Sequence, residues 1–456
     1  MREMEGGLTK SNAFFSNRQL LSLMLPLIME QFLAIFVGFA DSLMVSFVGE
    51  AAISAVSLVD SISNLMIYVF SAMAAGGAVV AGQYMGHGDE EKARRAGEQM
   101  MVLLAAFSFA IMALLYLFRD GLLALLFGEI APDVLAATNT YYIITIASIP
   151  AIAIYNGGAA IFRTMSRSDI SLKASLLMNL LNVGGNAVLI YGLDMGVEGA
   201  AIPTLLSRVV AAAVMVVLLL DRRYVLHLCG LRTYRPEKKL LRNIFLLAVP
   251  GGIENGMFHL GRLVLVSMVA TLGTAEIAAN AVGNTFGNIH CFPGMGINMG
   301  LATVISCCVG AGEYEEAKRY FGKILRWSYV VMAAMNGVIL LLTPMILRVY
   351  DLSPEAAEHA CTVMVMHGIA SIVLWVPAFM IPGFLRAAGD AGYTMLASVG
   401  SMWLVRVLFA YIFGIVMGYG LAGIWFAHSV LDWIVRSVLY YYRYRSGRWQ
   451  LKRIKT

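Results

Sequence analysis

Charge is what this sequence has least of. Only 13% of its 456 residues are Asp, Glu, Lys or Arg, against 59% hydrophobic, and the mean hydropathy is +0.76. No soluble core removes that much apolar surface from water, so lipid must be the solvent. Cysteine is sparse as well: Cys229, Cys291, Cys307, Cys308 and Cys361 show neither CxxC nor Cys/His metal spacing and read as small apolar fillers. There is no GxxxxGK loop for ATP, no HExxH and no convincing Ser/His pairing, so neither an enzyme nor a cofactor is expected. The net charge of +5 comes from Lys and Arg scattered through short loops, without the basic stripe that a nucleic-acid partner requires. Strand-type alternation is absent, which argues against a membrane barrel. The N-terminal stretch MREMEGGLTKSNAFFSNRQ lacks an apolar run ending in a cleavage site, so no cleaved signal is expected.

What is present is a repeat. The apolar segment from Leu25 to Gly49 carries two carboxylates, and its plan returns from Val249 to Gly273. Adding 224 to a residue number maps Pro26 to Pro250, Glu30 to Glu254, Gly49 to Gly273, Asn64 to Asn288, Gly86 to Gly310 and Glu91 to Glu315 without a gap. There are 16 identities between residues 26 and 93, where so biased a composition gives roughly five by accident. One fold is therefore made twice.

Twelve apolar runs follow along the chain, six per repeat: about 20–48, 53–84, 99–118, 138–162, 172–193, 199–220, 244–272, 276–308, 325–349, 360–385, 393–417 and 421–442. Each supplies the ~20 residues a helix needs to cross hydrocarbon. The expected fold is an all-α membrane protein of twelve transmembrane helices in two six-helix lobes. The loop 221–243 is the natural joint, giving an N-lobe over 1–230 and a C-lobe over 231–456. With the N-terminus inside, 27 basic residues fall on inner segments and only Arg119 and Arg348 outside, so both termini are expected in the cytoplasm of a plasma (inner) membrane protein. Six spans per half give both halves the same orientation and put their symmetry axis along the membrane normal. The segments GHGDEEKARRAGE and GAGEYEEAKRYFGK read as short amphipathic inner loops.

Polar groups inside spans carry the functional information, because a charge in hydrocarbon is costly unless it meets a partner or water. Glu30 and Asp41 are eleven residues apart, close to three helical turns, and share one face at two depths. Leu265 stands at the second copy of Asp41, so that site breaks the symmetry and favours the N-lobe for ion coupling. Glu30 and Glu254 both follow a proline near the inner end. Arg262 and His259 are unusual at their depth; they are candidates for the cavity or partners of Glu254. Asp60 and Asp432 are further candidates, and for Asp432, with Arg436 four residues on, an intrahelical pair is the simpler explanation. Asn182 and Asn186 share a face, Thr204 can join them, and amide and hydroxyl oxygens suit a small hard cation as well as helix packing. Asn64 and Asn288 are candidate cavity or packing residues.

The twelve-span plan, ADSLMVSFVG ending the first span, GGAVVAGQYMGHGDEEKARR ending the second, FRTMSRSD and FLRAAGD after the fourth and tenth, and MGVEGAAIPT and MGYGLAGIWFA opening the sixth and twelfth together resemble the multidrug and toxic compound extrusion family over about residues 15–445. The resemblance implies a monomeric secondary exporter that exchanges organic, often cationic, compounds for H+ or Na+ by alternating access. Asp41 then matches the family's first-span aspartate, Asn182 its fifth-span asparagine and Thr204 its sixth-span threonine, a set that would hold Na+ if sodium is the ion. Asn186 stands where the family often has an aspartate, which weakens a sodium site, and the tenth span lacks the carboxylate of one family branch. Coupling through the C-lobe would fall on Glu254. The alternative is a lipid-precursor flippase of related twin-lobe type, with Arg262 as the feature in its favour.

Overall fold

The computed structural model describes residues 14–128, 131–229, 234–350 and 352–454. Arg2, Lys10, Arg232 and Lys455 of the charge argument, and the expected lobe boundary at 230/231, lie outside the described residues.

Among the described residues twelve helical rods follow one another. In the first half they are α1 (Asn17–Ser46), α2 (Glu50–Gly86), α3 (Glu90–Leu117, continued by Arg119–Phe127), α4 (Pro132–Thr164), α5 (Ser168–Gly192) and α6 (Glu198–Leu219). In the second half they are α7 (Lys238–Ala270), α8 (Thr274–Ala311), α9 (Tyr314–Val349), α10 (Pro354–Ala387), α11 (Ala391–Val416) and α12 (420–445). The protein is an all-α membrane protein of two six-helix lobes. Among the described residues, ten rods are long and apolar enough by composition to cross a membrane. The other two, α7 and α12, each carry several polar and charged residues along their length: Glu254, His259 and Arg262 on one, His428, Asp432 and Arg436 on the other.

The two segments expected as amphipathic inner loops are instead helical. GHGDEEKARRAGE contributes the first turns of α3, where Asp89 caps the helix by accepting from the Lys92 amide at 3.0 Å, and GAGEYEEAKRYFGK opens α9. Polar first turns and carboxylates beside helix N-termini are favourable, so these helices begin well before their apolar runs.

The glycines conserved between the repeats have two physical reasons. Gly49 and Gly273 precede α2 and α8 with φ of +128° and +140°, a region that side-chain-bearing residues avoid. Gly86 and Gly310 sit where α2 and α8 cross. A Cβ on Gly86 would lie 1.9 Å from the Cys307 carbonyl oxygen, and one on Gly310 2.0 Å from that of Gln83. Residues 83 and 307 are themselves 224 apart, so the crossing is one contact made twice about the symmetry axis. α1 packs on α8 and α2 on α7, and one buried cluster runs through this seam, joining Leu23 and Leu27 to Leu301 and Val304.

Candidate functional site

A cavity of about 850 Å³ lies on the first-half side of the seam. Its walls come from α1, α2, α4, α5 and α6, closed by Met295, Met299, Ala302, Thr303 and Ser306 of α8. Glu30, Asp41, Asp60, Asn64, Asn182, Asn186, Thr204 and Arg208 all line it.

The helical spacings bring the predicted polar set together. Asn182 and Asn186, one turn apart on α5, both face Asp41 on α1. Asn186 donates to Oδ1 of Asp41 at 2.8 Å. The Asn182 amide, with its nitrogen towards the carboxylate, donates to both Asp41 oxygens at 2.9 and 3.0 Å and accepts from the Thr204 hydroxyl at 3.0 Å. Asn182 and Asn186 are 7% and 1% exposed, whereas Asp41 is half-buried on the cavity wall. A carboxylate reached by amide N–H donors is held in one orientation without a compensating cation.

Deeper in the same cavity, Tyr141 donates to Asp60 at 3.4 Å, and Arg208 donates to Ser148 at 2.7 Å while standing within electrostatic range of Asp60 and Asp41. Arg208 escaped the sequence reading as a site residue. The signal was present, since it lies one turn after Thr204 on the same face of α6 and is a charge inside a span.

Near the middle of α1, Glu30 accepts from Ser171 at 2.7 Å and pairs with Arg163 at 3.6 Å. Glu254, its copy on α7, accepts from Arg386 through both oxygens at 3.2 Å and lies 3.9 Å from Arg436. Each first-position glutamate thus meets an arginine from the end of its lobe's fourth helix.

Several expected partnerships fall elsewhere. Neither His259 nor Arg262 is the partner of Glu254: His259 packs against Tyr68 of α2 with ring centroids 4.6 Å apart, and Arg262 donates to Asn284 at 3.2 Å. Asp432 does not pair with Arg436 along its own helix. It accepts from Ser401 and from Nε of Arg406 at 3.0 Å, because π-type turns in α11 and α12 re-aim these side chains across the interface. The four candidate cavity residues also separate. Asn64 lines the large cavity, Asn288 and Arg262 line a smaller one of about 180 Å³ inside the second half, and His259 stands between the halves. No group of three or more His, Cys, Asp or Glu able to hold a metal occurs among the described residues.

The family model MatE matches residues 26–188 and again 250–412, two stretches that start 224 residues apart, the same offset as the internal repeat. The chain belongs to the MatE family. It is similar over most of its length to the "Uncharacterized transporter YisQ" of Bacillus subtilis, 27% identical over 439 residues and 94% of each chain. It is likewise similar to the "Probable multidrug resistance protein NorM" of Thermotoga maritima, 24% identical over 445 residues, covering 96% of this chain and 94% of the relative. Its fold matches that of an outward-facing multidrug resistance MATE family transporter of the MOP superfamily, with a TM-score of 0.89 at 19% identity over 95% of this chain and 96% of the other. The two cavities are therefore parts of a membrane transporter of the MatE family.

Proposed function

We propose that this protein is a proton-coupled exporter of small organic compounds, mostly cations, working by alternating access between its two lobes, with Asp41 as the coupling carboxylate. The observation that carries this reading is the hydrogen-bonded cluster of Asp41, Asn182, Asn186 and Thr204 on the wall of the large cavity. Asp41 and an organic cation attract one another, whereas a proton on Asp41 removes the attraction. Proton and substrate therefore stabilise different states, which is what exchange requires. For one monovalent cation against one proton the exchange is electroneutral, and the pH difference alone supplies about 1.36 kcal/mol per unit.

The proton is favoured over sodium by the residue at 186. The neighbours of Asp41 present amide N–H groups, and Asn186 supplies no second negative charge to hold a hard cation. Asp60 and Arg208 deeper in the cavity offset one another and leave a net charge of about −1 with Asp41, matched to a monovalent cation. Glu30 and Glu254, each held by an arginine, serve the lobes' packing rather than the ion path. On this reading the protein is a plasma-membrane monomer with both ends cytoplasmic and its lobes divided in the 221–243 loop. The crossing of α2 and α8 then closes the cytoplasmic side.

The test is efflux of a fluorescent organic cation from proteoliposomes containing the wild type or Asp41→Asn, driven separately by a pH and a sodium gradient. Efflux by wild type under the pH gradient, lost in the variant, supports the mechanism. Sodium-driven efflux overturns the ion, and normal efflux by Asp41→Asn overturns the site.

A further inference from the structure

The second cavity belongs to a different electrostatic world from the first. Its walls come from α7, α8, α10, α11 and α12, and they include two guanidinium groups, Arg262 and Arg406, and three amides, Asn280, Asn284 and Asn288. No carboxylate lines it among the described residues. Asp432, an acid beside the cavity, is turned away: Ser401 occupies one of its oxygens, and Nε and Nη2 of Arg406 the other.

That arrangement leaves donors without acceptors. Arg406, 3% exposed, gives two nitrogens to Asp432, and its Nη1 has no acceptor among the described residues. Among the described residues Arg262 has only the side-chain oxygen of Asn284 as an acceptor. Arg436, 1% exposed, stacks over Phe258 and Phe379 of the cavity wall, 5.2 and 4.8 Å from their centroids, with Nε and Nη1 unpaired. Its carboxylate partner, Glu254 at 3.9 Å, is shared with Arg386. Arg406 and Arg436 are buried, exposed Arg262 stands within electrostatic range of Arg406, and buried positive charge of this kind calls for an anion.

The remaining walls define the shape of that anion. Phe258, Trp375, Phe379, Trp425 and Trp433 surround the space with flat apolar faces. At about 180 Å³ it is of benzene size, since a protein cavity of about 150 Å³ accepts benzene. Guanidinium forks match a carboxylate geometrically, and aromatic walls match a ring.

We propose that this C-lobe cavity is a second ligand site, one for a small aromatic carboxylate, with Arg262 and Arg406 receiving the carboxylate and the Trp and Phe faces holding the ring. The site is independent of the Asp41 cluster, so it stands or falls whether or not the N-lobe couples to protons.

The experiment is calorimetric titration of the purified full-length protein with benzoate, benzamide and benzylammonium. These probes share the ring and differ in charge, so the wild type alone already tests the idea. Saturable one-to-one binding of benzoate, at least about tenfold tighter than benzamide and with benzylammonium unable to displace it, is the expected result. Arg262→Gln should weaken benzoate about tenfold or more, and Arg262→Lys should recover part of the loss. Equal binding of benzoate and benzamide would remove charge recognition and overturn the proposal. So would absence of saturable benzoate binding, or unchanged affinity in Arg262→Gln.

Discussion

Asn186 donates its side-chain amide to Oδ1 of Asp41 at 2.8 Å, linking the fifth helix to the first at the wall of the large cavity. The neutrality of that donor decides the charge of the site.

Asn186→Asp replaces the donor by a second carboxylate in contact with the first. Two carboxylates in contact repel, and a cation between them relieves the repulsion. Sodium-gradient-driven efflux is expected to rise several-fold above the wild-type background, measured in proteoliposomes at constant pH. A variant that remains indifferent to sodium would show that residue 186 does not select the ion.

The crossing of α2 and α8 tolerates no side chain at Gly86 or Gly310. Gly86→Leu and Gly310→Leu are each expected to cut transport at least about tenfold by holding the crossing apart, because packed backbones have no spare volume. Their effects should be alike, since each residue meets the other helix in the same way. Buried Cys308, close to the crossing, should gain reactivity towards maleimide in both variants. Equal Cys308 labelling in wild type and variants would mean that the helices close without this contact.

Glu254→Gln removes the carboxylate that faces Arg386 and Arg436. Arg436 is buried and Arg386 about one-third exposed, so the stability loss is expected at about 1–3 kcal/mol, below that of a fully buried pair. The melting temperature should fall while the surviving protein still transports. Unaltered melting with abolished efflux would place Glu254 in the ion path instead.

The tail beyond α12 ties together the end of the molecule at which α2 and α8 cross. The Ile454 amide donates to Gln83 at 2.9 Å, Gln83 donates to the Ala387 carbonyl at 3.0 Å, and fully buried Trp449 packs on Phe384 and Tyr314 with centroids 4.8 and 5.7 Å away. Trp449→Ala is expected to cost about 3 kcal/mol, read as a lowered melting temperature, because it empties a large buried volume. A shift within error would show that the tail packs only loosely on the lobes.

The sequence by itself determined the architecture. Hydropathy and length specify the spans, and the 224-residue offset specifies the doubling. The spacing of Asn182 and Asn186 forecasts one shared face that Thr204 can join, because helical periodicity is local information, whereas their grouping with Asp41 was implied only by the family resemblance. Tertiary structure decided the partners. Arg386 rather than Arg262 or His259 meets Glu254, and Arg406 rather than Arg436 meets Asp432, because each choice depends on how rods far apart in sequence are rotated and where π-type turns shift their faces. The separation of the polar residues into an N-lobe cavity with net negative charge and a C-lobe cavity ringed by arginine was decided at the same level. A repeat makes its two halves alike in backbone, and only the packed arrangement of the unlike side chains gives them opposite charge.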